Sequence, residues 1–304
     1  MMMMNGRIRT SPPPQEFHPM HSDTAVLLIH CPDQPGLVHA VTGFIFYHGG
    51  NLLDLEQHVD HEGDLFFMRV EWSLETFGVA KADIAASFSQ LAESRRMEWR
   101  LQFSSDRKRL ALFVSKESHC LYDLLSRHEA GELPADVAMV VSNHETLRPA
   151  AERFGIPFHH FPITKENRDE QERKQLELLA AERVDTVVLA RYMQIIGSSM
   201  IQAFPNRILN IHHSFLPAFV GAKPYHQAYE RGVKIIGATS HYVTEKLDEG
   251  PIIHQDVMAV SHEDSVSDLV RLGRDLEKTV LSKALRWHVV DKVLVYHNKT
   301  VVFS

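Results

Sequence analysis

Asn210 and His212 in the run NIHHSFLP, with Asp248 in the run LDEG, are the residues of this 304-residue chain best suited to chemistry. The lead-in RILNIH reads as a strand, and alternation with period two places Asn210 and His212 on one face near its C-terminal end. An amide NH₂ and an imidazole converging there can both donate to an oxygen that gains negative charge, which is what acyl-group chemistry requires. The same side chains also suit structural parts, an asparagine bonded to loop backbone and a satisfied core histidine. Alternation sends His213 to the opposite face, so His212 and His213 are not expected to share a metal ion, and His159 and His160 separate in the same way. Twenty histidines are present without a ligand spacing such as HExxH, and no metal is expected.

Asp248 stands where Asp and Gly make turns for backbone reasons. On a loop between two strands its carboxylate can also reach the Asn210 and His212 edge and take a proton from water. Spacing leaves both readings open. Ser240 and His241, one step apart in SHYV, are secondary, because only one can face a given site. SKESHC, residues 115 to 120, follows a strand where α/β domains often cradle a phosphate, but it has no glycine, so close backbone approach to a phosphate is not on offer. In CPDQPGL, residues 31 to 37, Asp33 and Gly36 suit a tight turn, and the free amides of the helix start beyond it can bind a carboxylate.

The elements that must position these residues fall into two blocks. TAVLLIH reads as a strand, and Leu37, Val41, Phe44 and Ile45 make a helix that Gly49 and Gly50 stop. NLLDLEQHV and DLFFMRVEW flank the turn DHEG as a hairpin, a helix presents Ile84, Phe88 and Leu91, and MEWRLQF is a last strand. The order βαββαβ is that of a ferredoxin-like unit. SSDRKR, residues 104 to 109, marks a boundary: residues 1 to 22 are expected as a flexible tail, 23 to 105 as the first domain and 106 to 304 as the second. In the second, LALFVS, VAMVVS, DTVVLA and RILNIHH suit strands buried on both faces, separated by helices. The clearest helix is ENRDEQERKQLELLAAER, with Leu176, Leu179 and Ala180 inward. KIIGATSHYV and PIIHQDVMAV flank LDEG as an added antiparallel pair, and a long helix runs from about Ser265 to Val289. This is an open α/β sheet, whose ligands sit beyond the carboxyl ends of the strands.

A hydrophobic content of 44% supports a full core, and a formal charge of −7 with a pI near 6.3 offers no basic footprint for nucleic acid. Cys31 and Cys120 are in no paired spacing, and no run approaches the roughly 20 apolar residues of a membrane span. Neither nucleic acid nor a membrane is an expected partner, and a cytoplasmic location is.

The second block resembles the formyltransferase fold that handles 10-formyltetrahydrofolate. Its Asn-x-His on a strand, Ser, Leu-Pro and a downstream Asp before Gly are here Asn210, His212, Ser214, Leu216, Pro217, Asp248 and Gly250. The likeness continues through GAKPYHQAYERGVKIIGATSHYVTEKLDEGPIIHQD. Glycinamide ribonucleotide formyltransferases usually have Pro where His213 stands, and hold a phosphate on a glycine-rich loop where this chain has SKESHC. HHSFLPAF, with a first block similar to an ACT domain, resembles the formyltetrahydrofolate deformylases, over about residues 24 to 304.

The resemblance implies hydrolysis of 10-formyltetrahydrofolate to tetrahydrofolate and formate, supplying formate for one-carbon and purine metabolism. Asp248 would be the base and His212 and Asn210 the oxyanion donors, with folate as substrate and no further cofactor. The pterin is expected near Arg191, Tyr192, Met193, Gln194 and Ile195, and against backbone around Val243 and Leu247. An ACT-like domain implies an amino-acid effector, with Asp33, Gly36 and Asn51 at its site, and a homo-oligomer. Two alternatives stay open at this point: formyl transfer to an amine acceptor, and a folate-binding amino-acid sensor without catalysis.

Overall fold

The β-rich first block folds as β1 (Thr24–Pro32), α1 (Leu37–Tyr47), β2 (Asn51–Asp60), β3 (Leu65–Ser73), α2 (Ile84–Ser94) and β4 (Glu98–Phe103). The structure is a computed structural model that describes residues 23–217 and 224–304; the expected tail, residues 1–22, lies outside them. The four strands form one antiparallel sheet in the order β2-β3-β1-β4. Both helices cover one face of it. Leu37, Val41 and Ile45 of α1 and Ile84, Phe88 and Ala92 of α2 are buried against Leu27, Ile29, Met68 and Trp72. Leu91 only packs at the margin of this cluster, because Ala92 takes the buried position one residue on.

The second block contains β5 (Arg109–Val114), α3 (His119–Glu129), β6 (Asp136–Ser142), α4 (Arg148–Arg153), β7 (Phe158–His160), α5 (Arg168–Ala181) and β8 (Thr186–Leu189). It continues with α6 (Ser198–Ala203), β9 (Ile208–His212), α7 (Pro224–Arg231), β10 (Ile235–Tyr242), β11 (Ile252–Ala259), α8 (Val266–Val289), β12 (Val293–Tyr296) and β13 (Lys299–Val302). Seven of these strands make a sheet in the order β11-β10-β9-β8-β5-β6-β7, parallel from β9 to β7 and antiparallel at β10 and β11. Pleating divides β5 between two cores. Leu110, Leu112 and Val114 pack with α3 and α8, while Ala111 and Phe113 pack with Leu179 and Met200 on the other face. That two-sided burial is why the strand sequences are continuous apolar runs.

On α5 the inward residues are Gln175 and Leu179, with Leu176 partly buried, and Ala180 is exposed. Gln175 turns inward because its Nε2 donates to the buried Tyr192 hydroxyl, 3.4 Å away. A serine cap with a capping box starts α8: Ser265 accepts from the Asp268 amide and Asp268 answers to the Ser265 amide.

The strands β12 and β13 form a hairpin that joins the two blocks. Leu294 and Phe303 of this hairpin are buried against Leu28 and Phe67, on the face of the first sheet that its helices leave open. Asp291, at the end of α8, accepts from Arg100 and Lys108 through its carboxylate and from Arg69 Nε through its carbonyl. Because β5 is flanked by β8 on one side and β6 on the other, the order in which the chain adds strands to the sheet reverses between β5 and β8. A crevice opens at such a point.

Candidate active site

The loop after β8 and the loop after β5 meet at that switch, where the Met193 amide donates to Ser115 Oγ at 3.0 Å and Ser115 in turn donates to Asn143. The cleft beside them has a volume of about 290 Å³. Every expected catalytic residue, Asn210, His212 and Asp248, lines it, and so does every expected pterin neighbour: Arg191, Tyr192, Met193, Gln194, Ile195, Val243 and Leu247. Met193, Ile195 and Leu247 hold their apolar side chains out at its mouth. Tyr192 differs, since it is buried with its ring edge-on to Phe113. A small set of polar groups inside an apolar wall is the usual constitution of a ligand site.

Asp248 reaches the strand residues from its turn. Its Oδ2 lies 3.3 Å from His212 Nδ1 and its Oδ1 3.6 Å from His241 Nε2. The hydrogen bond from His212, and after it the one from His241, hold the carboxyl well below the usual carboxylate range against the opposing effect of burial. Asp248 is therefore an anion that is already engaged. Two backbone features fix it there: Asp248 itself adopts a left-handed φ of 56°, and Gly250 lies so close to β10 that a Cβ would stand 1.8 Å from the Tyr242 carbonyl oxygen.

His212 commits Nδ1 to the carboxylate, which leaves its buried Nε2 without a hydrogen-bond partner. A buried ring nitrogen left in that condition is costly unless a ligand satisfies it. Asn210 is the cross-strand partner of His241, and its Nδ2 lies 3.2 Å from His241 Nε2. Since a carbonyl only accepts, His241 Nδ1 carries the hydrogen that bonds Tyr242 O at 2.9 Å; its Nε2 then accepts from Asn210 when unprotonated, and the hydrogen bond to Asp248 needs a second proton on the ring. The irregularity of the β10 and β11 pairing between Ser240 and His241 decides which of the two faces the site: it is His241, while Ser240 is buried away from it. A strand-end bulge has no dependable sequence signal, so spacing alone left this residue secondary.

His213 corrects the expectation from alternation. It too lines the cleft, with its ring 5.2 Å from that of His212, because β9 ends at His212 and the period of two ends with it. Its pKa is pushed down to about 4 by burial and by the nearby Arg191 charge. Glu245, Thr244, Leu189, Ile196 and Ile211 complete the wall. At SKESHC the side chains are committed to α8: Glu117 pairs with Arg274 at 2.7 Å, and His119 Nε2 donates to Glu277 at 2.8 Å.

Comparison with known proteins bears on what such a cleft is for. The formyl transferase family profile matches residues 108–285, and the ACT domain profile matches residues 25–77. Formyltetrahydrofolate deformylase of Synechocystis is 52% identical over 285 residues, 94% of this chain and 100% of that protein. The chain belongs to the formyltetrahydrofolate deformylase family. Within that family, the crystal structure of a formyltetrahydrofolate deformylase from Pseudomonas syringae pv. tomato matches with a TM-score of 0.91 at 46% identity, covering 94% of this chain and 96% of that one. Glycinamide ribonucleotide transformylase 1 from Symbiobacterium toebii matches with a TM-score of 0.62 at 34% identity, covering 67% of this chain and 98% of that one. Membership in a hydrolase family disfavours both the amine-transfer reading and the non-catalytic sensor. Among the described residues no helix is long and apolar enough to cross a membrane.

In the first block, Asp33 and Gly36 share a second cleft with Gln57 and Val59, below the start of α1. Asn51 does not join them. It begins β2 at the far end of α1, beside the exposed Phe46, Tyr47, Leu52 and Leu53.

Proposed function

We propose that this protein hydrolyses 10-formyltetrahydrofolate to tetrahydrofolate and formate, with Asp248, His212 and Asn210 carrying the reaction. The observation that carries this reading is the buried, unpaired Nε2 of His212, set beside the Asn210 amide in an apolar cleft and backed by Asp248. The N-formyl group is an amide, so water adds to its carbon and its oxygen becomes an alkoxide. With Nδ1 donating to Asp248, Nε2 can stabilise that alkoxide only as an N–H, which makes the imidazolium paired with the carboxylate the competent form. Asp248 accepts the proton of the attacking water. The tetrahedral intermediate then releases the folate nitrogen, which takes up a proton, and formic acid leaves as formate.

Apolar side chains at the cleft mouth, Met193, Ile195 and Leu247, suit the faces of a flat heterocycle, and the backbone around Val243 suits its edge donors and acceptors. Incubation of the protein with 10-formyltetrahydrofolate alone tests the reading: formate and tetrahydrofolate should appear in equal amounts without an added amine. A strict requirement for an amine acceptor would overturn it.

In the first domain, a small amino acid is proposed to bind at Asp33 and Gly36, where the amides starting α1 can meet a carboxylate and Asp33 an ammonium group. The exposed apolar residues around Asn51 support a homo-oligomer through that edge. Calorimetry of the full chain against a panel of amino acids, with light scattering for its mass, tests both. Silence across the panel would leave the domain a structural part.

A further inference from the structure

Glu277, at 1% exposure on the inner side of α8, is more deeply buried than Asp291, and the proposed reaction does not use it. Three elements converge on it. His119 Nε2, at the start of α3, donates to Oε2 at 2.8 Å; the Tyr225 hydroxyl of α7 donates to Oε1 at 2.6 Å; and Arg191 Nε, in the loop after β8, stands 3.4 Å from Oε2. Burial opposes the charge, but the His119 hydrogen bond, the Arg191 charge and the Tyr225 hydrogen bond outweigh it and hold the carboxyl below its ordinary value. His119, Cys120 and Glu277 bring three atoms of metal-ligating type within 4.8 Å of one another. The Arg191 guanidinium beside Glu277 and the direct His119 hydrogen bond make this a closed ion-pair network instead.

The network ends on the cleft. Arg191 lines it with a left-handed φ of 65°, and the Tyr225 ring stands 6.2 Å from the His213 ring, which lines it beside His212. Tyr225 has one place to lie, since it crosses α8 at Gly273, where any Cβ would meet its hydroxyl oxygen at 2.1 Å. The ring beside His213 thus belongs to a tyrosine whose hydroxyl is itself fixed to a buried anion.

We propose that His213 holds the attacking water, and that the Glu277 network fixes its imidazole for that purpose; this rests on the hydrolase reading. A water molecule has two hydrogens to place before its lone pair can point at the formyl carbon. Asp248 accepts one and His213, on the adjacent wall, accepts the other. Low proton affinity supports this, because a ring kept neutral at physiological pH offers a lone pair where an imidazolium offers none. In the reaction the water oxygen bonds to the formyl carbon and one proton passes to Asp248. The second proton stays on the new hydroxyl, hydrogen-bonded to His213. The C–N electron pair leaves with the nitrogen, which takes the proton from Asp248 and so restores the carboxylate, and the formic acid ionises. His213 and Arg191 line the cleft, so a nucleophile that takes the water's place must do without the hydrogen bond to His213.

The test uses the full chain and four variants, His213→Ala, His213→Gln, Tyr225→Phe and Glu277→Gln, with 10-formyltetrahydrofolate. Loss of water positioning should lower kcat of His213→Ala by roughly 10² while KM stays within about threefold. His213→Gln, which keeps an acceptor, should recover about a tenth or more of the wild-type rate, and added imidazole should partly rescue His213→Ala. Tyr225→Phe should fall between wild type and His213→Ala, again in kcat. With hydroxylamine as a small competing nucleophile, His213→Ala should give a higher ratio of formylhydroxylamine to formate than wild type. A kcat within threefold of wild type for folded His213→Ala, or losses that appear only in KM, would overturn the proposal and leave the hydrolase reading in place. An inert wild-type protein would instead overturn the hydrolase reading itself. Should Glu277→Gln fail to fold, Tyr225→Phe still decides whether the network acts through His213.

Discussion

Asp248 Oδ2 lies 3.3 Å from His212 Nδ1, and this pairing decides which nitrogen of the imidazole faces the cleft. Nδ1 is held by the carboxylate, so Nε2 is left for the place proposed for the formyl oxygen. One relationship therefore couples the proposed base to the proposed oxyanion donor. Removal of either partner damages both functions.

Replacement of Asp248 by Asn keeps the size of the side chain and removes its charge. In the proposed reaction the variant loses the water's proton acceptor and the carboxylate that orients His212 Nδ1 together. Its kcat should fall by about 10² to 10⁴, with an unchanged far-ultraviolet circular dichroism spectrum. Near-normal formate release from folded Asp248→Asn would remove the carboxylate from the mechanism.

In the proposed reaction Asn210 and His212 donate to the same developing charge, so their losses should not add. Each alanine variant is expected to lose about 10² to 10³ in turnover. The double variant should lose clearly less than the product of the two. Strict multiplicativity in this cycle would mean that the two groups act independently and not on one oxygen.

Much of this site was legible in the sequence because strand periodicity is a strong local signal. Asn210 and His212 share a face as alternation requires, and the residues that the family likeness put forward for the pterin line the same cleft. His213 was misplaced because alternation holds only inside a strand and β9 stops one residue earlier. His241 depended on an irregularity of strand pairing, and Glu277 on the packing of α8 against α3 and α7. Those are tertiary events, and a glutamate within a long polar-looking helix carries no local mark of being buried. The first domain's order was equally legible, while the hairpin of β12 and β13 was not, since two four-residue strands look like a tail until the face they cover is known.

His288 gives the protein an acid-sensitive core. Its Nδ1 meets the Tyr242 hydroxyl at 2.8 Å and its Nε2 the Thr186 hydroxyl at 3.0 Å, all buried. Burial, helped by Lys108, Arg100 and Arg207, holds its pKa well below the ordinary 6.5. The unfolded chain therefore binds more protons once the pH drops below 6.5, and stability is lost as pH falls from there toward the folded pKa. Full exposure of one such group gives a slope of about 1.4 kcal/mol per pH unit. His213, pushed down to about 4, adds a second group of the same sign. Urea unfolding of His288→Gln between pH 5 and 8 should show a shallower acid slope than wild type, and an identical slope would locate the effect elsewhere.

Arg69 tests how firmly the two domains are joined. It is buried on β3, donates to Asp54 and Glu71 at 2.7 Å each, and sends Nε across the domain junction to the Asp291 carbonyl at 3.1 Å. Removing the guanidinium leaves two like charges facing each other and an unsatisfied carbonyl at the end of α8. Both carboxylates retain some solvent contact, which screens their repulsion, so the cost of Arg69→Ala is expected near 2 to 3 kcal/mol and below that of a fully buried pair (about 3 to 5). Arg69→Met fills the same space without the hydrogen bonds, so the difference between the two variants separates packing from charge. Because Arg100 and Lys108 still hold the Asp291 carboxylate, the loosening should stay at the junction and the kcat for formate release should change by less than the stability does. Differential scanning calorimetry of both variants, alongside formate assays, measures this. A loss of activity in Arg69→Ala at a temperature where the protein remains folded would show that the junction also sets the geometry of the cleft.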